Sequence, residues 1–311
     1  MSSSPTALRG VVPPVCTPLT PESEVDAPSL ERLIAHLLDA GVDGLFVLGS
    51  TSEVAFLPDT HRARVLEIAV SAVAGRVPVV AGVIDTATLR VVEHVRTAEK
   101  HGVDGVVATA PFYTRTHPAE IDAHFRTLRA ATDLPVIAYD LPVSVHTKLG
   151  VAQLANMARD GVIQAVKDSS GDEGGFRRLL LETADVADFA VLTGSELTVD
   201  TAFRMGAHGV VPGLGNVDPR GYVRLRDLAA AGDWDAAKAE QERLIALFGL
   251  VDVGSPKRMG RGSSALGAFK AALHLLGVID CPATAAPQIP LNAAEIADVR
   301  AHLVRAGLLA A

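Results

Sequence analysis

The chain has 311 residues, 49% of them apolar and 21% charged, enough for a large core inside a charged surface. Its net charge of −8 offers no basic face to phosphates, which sets aside nucleic acid as the main partner while leaving a small anionic substrate open. Two cysteines, Cys16 and Cys281, read as free thiols in a reducing compartment. The opening MSSSPTALRG lacks the apolar segment of a leader, and no apolar run approaches the ~20 residues that cross a bilayer, so a cytoplasmic location is expected.

The first apolar run, GVVPPVCTP, predicts strand 1 over 10–15. SLERLIAHLLDA from Ser29 has helical periodicity. AGVDGLFVLG from Ala40 ends that helix on a glycine, turns tightly and enters a buried strand 2 over 44–48. HRARVLEIAVSAVAG from His61 is helical, and VPVVAGV predicts strand 3 over 77–82. HGVDGVVATA from His101 repeats the glycine pattern and leads into strand 4 over 104–109. LPVIAYDL predicts strand 5 over 135–139, and the weaker copy RDGVIQAVKD from Arg159 predicts strand 6 over 162–166. DFAVLTG gives strand 7 over 189–193, and MGAHGVVPGL gives strand 8 over 209–212.

Strict βα alternation with strands apolar on both faces means a parallel sheet covered by helices. Eight such units over about 220 residues favour a closed (β/α)8 TIM barrel. An open doubly wound sheet is the alternative, but strand 1 runs into Thr17-Pro18-Leu19-Thr20-Pro21 rather than a glycine-rich phosphate loop. After residue 220 the strand signal stops, and 219–231, 234–250, 264–277 and 292–308 read as helices. The expected division is a catalytic barrel at 1–230 and a C-terminal helical extension at 231–311.

Barrel sites lie at the C-terminal ends of the strands. Lys167 directly follows VIQAV there, where desolvation disfavours the ammonium and yields a nucleophilic amine. The plainer alternative is a strand-end lysine paired with Asp168. The lysines at 100, 148, 238, 257 and 270 fall on helices or loops. Tyr139, one strand away, can relay protons to a carbinolamine or can be a packed aromatic. Ser50 and Thr51 offer hydroxyls and N–H groups entering a helix, either as a carboxylate cradle or as an N-cap. The histidines are scattered on helices or isolated, as at His146 and His208, which argues against a metal-dependent aldolase.

GSTSE, APFY, YDLP and VKDSSGD, in this order on these strands, resemble the family of dihydrodipicolinate synthase and N-acetylneuraminate lyase, which also includes 2-keto-3-deoxygluconate aldolases. The resemblance spans about residues 8 to 300. It implies a Schiff-base pyruvate lyase with Tyr139 and Lys167 as the catalytic pair. It implies Ser50 and Thr51 as ligands of the pyruvate carboxylate. Tyr113 would reach into a neighbouring subunit to complete a proton relay through Ser50, in a homotetramer built from two tight dimers. The backbone after strand 8, at Val211, would form a site wall. The covalent imine does the work of a cofactor, so none is expected, nor a metal. The implied partners are a small 2-oxo acid and an aldehyde, with no membrane.

Three departures qualify the resemblance. Ser52 stands where the family usually has glycine. Ser144 stands where synthases of dihydrodipicolinate carry an arginine for the second substrate's carboxylate, and a hydroxyl cannot bind a carboxylate bidentately. Glu196 stands where sugar-acid lyases place an acid for substrate hydroxyls, although it reads equally as a carboxylate at a helix N-terminus. Together with His146, Thr147, Ser169 and Ser195, Ser144 and Glu196 suit hydroxyl groups. The expectation is therefore an aldolase on a hydroxylated 2-oxo (sugar) acid. The alternative is a 4-hydroxy-tetrahydrodipicolinate synthase using aspartate semialdehyde, with a sugar-acid dehydratase or a non-catalytic barrel behind it. Asp59, Arg62, Thr86 and Arg90 occupy positions that bind feedback lysine in some synthases and do not resemble such a site.

Overall fold

The computed structural model describes residues 8–310, so the reading of MSSSPTALRG falls mostly outside the described residues. Its strands are β1 (Gly10–Val11), β2 (Leu45–Val47), β3 (Val79–Gly82), β4 (Gly105–Thr109), β5 (Val136–Asp140), β6 (Ala165–Asp168), β7 (Ala190–Thr193) and β8 (Gly209–Val210). All pairs are parallel, in the order β1-β8-β7-β6-β5-β4-β3-β2. Backbone bonds close the remaining gap between β1 and β2. Asp43 N donates to Val11 O at 2.9 Å, Phe46 N to Pro13 O at 3.0 Å and Val15 N to Phe46 O at 2.8 Å. The result is the (β/α)8 barrel expected. Strand 1 is shorter than the predicted 10–15 because Pro13 and Pro14 have no N–H for the ladder. Strand 6 lies later than 162–166, beginning at Ala165 and carrying Lys167 and Asp168 within it.

The helices between strands are α1 (Ala27–Asp39), α2 (Asp59–Val73), α3 (Thr88–Lys100), α4 (Pro118–Ala131), the short α5 (Pro142–Val145), α6 (Val151–Arg159), α7 (Glu173–Glu182) and α8 (Val199–Met205). The recurring glycine pattern has a physical division of labour. The first glycine of each copy takes the left-handed conformation that ends the helical segment, at Gly41 (φ 84°), Gly102 (φ 77°), Gly161 (φ 70°) and Gly206 (φ 100°). The second lets backbones approach, since a Cβ on Gly209 would lie 2.5 Å from Gly10 O. The residue between acts as a bracket that the sequence did not reveal. Asp43 accepts from Val11 N at 2.7 Å and Asp104 from Val79 N at 2.8 Å. His208 Nδ1 accepts from Val191 N at 3.0 Å, and Gln164 plays the same part for Val136 N at 2.8 Å in the weaker copy. Each fixes the N-terminal end of the preceding strand in the fold, or of its neighbour around the barrel, and so sets where the opposite ends emerge.

The chain continues through α9 (Pro219–Ala231), α10 (Trp234–Phe248), α11 (Arg261–Leu275) and α12 (Ala293–Arg305). α11 starts three residues before the predicted 264 and is buried without interruption from Gly267 to Leu273. It therefore has no solvent stripe there, and it brings Phe269 and Lys270 beneath the barrel mouth. α12 is shorter than 292–308, opened by a capping box of Asn292 and Glu295 and followed by Gly307 at φ 71°. Among the described residues, no helix is long and apolar enough to cross a membrane. Cys16 and Cys281 are both free thiols.

Candidate active site

Tyr139 and Lys167 face one another across the β5–β6 ladder, as register partners one residue from each strand end. Alternation turns both into the barrel interior, where they are 3% and 6% exposed. Lys167 Nζ lies 4.0 Å from the centroid of the Tyr139 ring and 5.0 Å from that of Phe46. Phe46 packs edge-on against Tyr139 at 6.3 Å. Asp168, the alternative partner for Lys167, faces Lys148 instead. Among the described residues no ion pair holds Lys167. The amine is thus enclosed by two aromatic faces and not tied to a carboxylate.

Lys167, Ser50 and Ser169 are the polar side chains around the Tyr139 hydroxyl. Burial alone would raise this phenol, but the Lys167 charge and the three hydrogen-bonding neighbours outweigh it and bring it below the ordinary value. A phenol lowered in this way can give up and retake a proton beside an amine. Ser169 was legible only as one of several hydroxyls. Its position is set by close packing, since a Cβ on Gly194 would come within 1.9 Å of Ser169 Oγ and 3.2 Å of Lys167 Cε. Gly194 therefore leaves the space in which the amine and this hydroxyl sit.

Ser50 is exposed at the mouth and Thr51 half-buried. They do not cap an α-helix as the sequence allowed. They form a turn that runs into a single 3-10 turn at Val54–Phe56, and α2 starts only at Asp59. Ser52 meets no conformational demand for glycine. Its Oγ donates to Val15 O at 2.5 Å and accepts from Gly49 N at 3.1 Å, tying the loop to the chain after β1. The left-handed residue of the loop is Glu53, at φ 62°. Glu53 is fully buried and forms an ion pair with Lys270 of α11, while its other oxygen accepts from Ala285 N at 2.7 Å. Lys148 lies in the loop after α5 and Lys270 on α11, as the sequence reading has them. Both are held by carboxylates.

The remaining sequence candidates are more dispersed. Val211 follows β8, buried, with its N–H on Thr193 O at 2.8 Å. Glu196 turns away from open solvent to accept from Leu214 N at 2.6 Å, with Tyr222 Oη at 3.5 Å. Burial pushes its carboxyl up to about 7, against the Leu214 N–H and the Lys167 charge. One oxygen is therefore committed to the β8 loop, which weakens its assignment to substrate hydroxyls. Ser144 is exposed on α5. Tyr113, in the loop after β4, is 92% exposed in a left-handed conformation, φ 77°, that a tyrosine seldom adopts. It stands outside the enclosed cluster of its own chain.

Asp59 and Arg62 line a cavity of about 150 Å³, Arg90 pairs with Asp59 at 3.7 Å, and Thr86 bonds to Asp85. Arg62 is occupied by the carbonyls of Val54, Leu57 and Ile84, and Arg90 by Asp85. Among the described residues, no group of three or more His, Cys, Asp or Glu side chains is placed to hold a metal ion.

The chain matches the dihydrodipicolinate synthetase family over residues 7–306. It is 33% identical to a 4-hydroxy-tetrahydrodipicolinate synthase of Kineococcus radiotolerans, over 96% of this chain and 93% of that one. Among solved structures it is similar to YagE of E. coli K12, a dihydrodipicolinic acid synthase family protein in complex with pyruvate. That similarity has a TM-score of 0.90 and 26% identity, covering 97% of this chain and 99% of that one. It is similar to the same degree, 0.90 and 26%, to a monomeric dihydrodipicolinate synthase variant, with 99% and 100% of the two chains covered.

Proposed function

The chain belongs to the dihydrodipicolinate synthetase family of pyruvate-dependent lyases, and from that premise we propose that it joins pyruvate, held as an imine on Lys167, to an aldehyde in the manner of a 4-hydroxy-tetrahydrodipicolinate synthase. The observation that carries the reading is the enclosed, carboxylate-free amine of Lys167 against the Tyr139 ring, with Ser50 and Ser169 near the Tyr139 hydroxyl. Lys167 attacks the 2-oxo carbon, and Tyr139 passes the proton with which water leaves. The protonated imine withdraws electrons from the adjacent methyl carbon, which loses a proton to give an enamine. The enamine carbon then bonds to the aldehyde carbon, and hydrolysis frees the lysine. Ser50 and Thr51, at the head of their turn, are suited to the pyruvate carboxylate. No external cofactor enters this scheme.

The name of the Kineococcus radiotolerans relative favours aspartate semialdehyde as the aldehyde, which reverses the preference for a sugar acid drawn from the sequence. The commitment of Glu196 to Leu214 N weighs the same way. Cleavage of a hydroxylated 2-oxo acid stays as the second reading on one observation, the hydroxyl of Ser144 where a guanidinium would grip a second carboxylate. A panel assay decides between them. Pyruvate consumption with aspartate semialdehyde is expected to exceed pyruvate release from 3-deoxy-2-oxo acids. Efficient cleavage of one of those acids, with no turnover of the semialdehyde, would reverse the assignment.

Exposed Tyr113 supports a shared site between two copies of the chain. Phe56 in the 3-10 turn after β2, Leu89 at the start of α3 after β3 and Tyr113 in the loop after β4 are 43%, 76% and 92% exposed, so three successive strand-to-helix connections each present an apolar side chain. Tyr113→Phe is expected to lower turnover about a hundredfold or more, the lower end of the range for a general acid–base group, with the imine still formed. Sedimentation at assay concentration should show at least a dimer. Full activity from a demonstrated monomer would refute the shared site.

A further inference from the structure

The outer face of the β5–β6 ladder carries an arrangement that the chemistry above does not use. Asp140 and Asp168 are register partners, each directly after a residue of the Tyr139–Lys167 pair. Alternation turns them to the opposite face of the sheet, behind the reacting groups. They are 0% and 6% exposed, two carboxylates side by side in neighbouring strands. Such a like-charge pair is destabilising unless a cation lies between its members. Lys148, from the segment after α5, supplies one. Its ammonium pairs with Asp140, lies 4.0 Å from Asp168 Oδ2 and donates to Leu149 O at 3.2 Å.

The carboxylates in turn hold the two loops that leave these strands. Asp140 Oδ1 accepts from Leu149 N at 3.1 Å, and Asp168 Oδ1 accepts from Ser170 N at 2.8 Å. The second bond fixes the residue next to Ser169, whose side chain lies near the Tyr139 hydroxyl. The Ser169 N–H lies on Asp140 O at 2.9 Å, and the Gly194 N–H on Asp168 O at 2.7 Å. One side chain therefore stands behind Tyr139, Lys167, Ser169 and Gly194 at once. Burial pushes the Asp140 carboxyl upward, and the Lys148 ammonium and the Leu149 N–H work against it.

We propose that Lys148 is a positioning residue for imine formation, its ammonium neutralising the Asp140–Asp168 pair and so holding the strand ends that carry Tyr139 and Lys167 in reacting geometry. The inference rests on the reading of Lys167 as the nucleophile. Without Lys148 the two carboxylates repel, and the strand ends and the Ser169 loop separate. The defect is one of charge, so removing one of the two negative charges corrects it.

The test uses the full chain with Lys148→Met, Asp140→Asn and both together. The rate of borohydride-trapped pyruvyl adduct on Lys167 is followed by mass spectrometry at saturating pyruvate, beside the thermal midpoint of each protein. Lys148→Met is expected to slow trapping by about tenfold or more, with the pyruvate concentration for half-maximal rate changed less than about threefold. Asp140→Asn alone should stay within about threefold of the wild type, and the double variant should return to that range. A packing role for the lysine stem predicts no such recovery. Trapping within about twofold of wild type in Lys148→Met, or a loss that Asp140→Asn does not restore, overturns the proposal. If Lys148→Met does not accumulate as folded protein, the double variant decides alone, and an inactive, folded double variant overturns it. A wild-type protein that traps no pyruvate on Lys167 would sink the parent reading instead.

Discussion

Lys167→Met is expected to abolish the pyruvyl adduct and to lower turnover by about 10⁴-fold or more, the scale seen when the nucleophile of a covalent mechanism is lost. The choice of methionine matters. The Lys167 stem lies against Phe46 and Tyr139 in a site with 6% exposure, and a shorter residue would leave a cavity between the rings. Methionine keeps most of that packing and removes only the amine, so a loss of activity reports on chemistry and not on folding. Incubation of the wild type with pyruvate and borohydride should add one pyruvyl unit to the peptide that carries Lys167. Residual turnover within about tenfold of wild type would place the nucleophile elsewhere. Lys148 and Lys270 are the other lysines near the mouth, and each is engaged by a buried carboxylate, which makes either a poor substitute.

The barrel was legible because a strand buried on both faces must be an apolar run, and each run follows a helix ended by glycine. Strand ends were harder to read. The sequence pattern RDGVIQAVKD predicts a strand 6 that stops at 166. It runs to Asp168 because the Ser170 N–H, two residues on, and Lys148 satisfy that carboxylate, and Lys148, 20 residues back, is not implied by local sequence. Lys167 and Tyr139 were legible from position and motif, whereas Ser52 was not. Its glycine-replacing role depends on Val15 O, 37 residues away. Glu196 reads from the sequence as a group for substrate hydroxyls or a helix N-terminus, and its bond from Leu214 N, 18 residues on, has no local signal. The Glu53–Lys270 pair leaves a trace in the sequence. From Gly262 to Leu273 the only charged residue is Lys270, which is the composition of a helix without a solvent face.

That pair carries the other large effect. Lys270→Met is expected to destabilise the protein by about 3–5 kcal/mol, the cost of leaving a buried charge without its partner. Glu53 has 0% side-chain exposure and Lys270 1%, so water cannot replace the missing ammonium. Ala285 N is the one remaining hydrogen bond to Glu53, and a single amide does not balance a full charge. Lys270 also donates to Ala283 O at 2.7 Å, so the substitution frees the chain after α11 at the same time. Strain adds to the effect, because Glu53 sits at φ 62° in the loop that carries Ser50 and Thr51, and the ion pair is what over-determines that conformation. The loss should therefore fall on pyruvate binding as well as on stability, with KM rising more than kcat falls. Denaturant midpoints of Lys270→Met and of the double variant with Glu53→Gln separate the contributions. The double variant should recover most of the stability, since an amide in place of the carboxylate carries no charge to strand. An unchanged midpoint in Lys270→Met would mean that α11 does not clamp the loop, and a double variant no better than the single would move the cause from charge to packing.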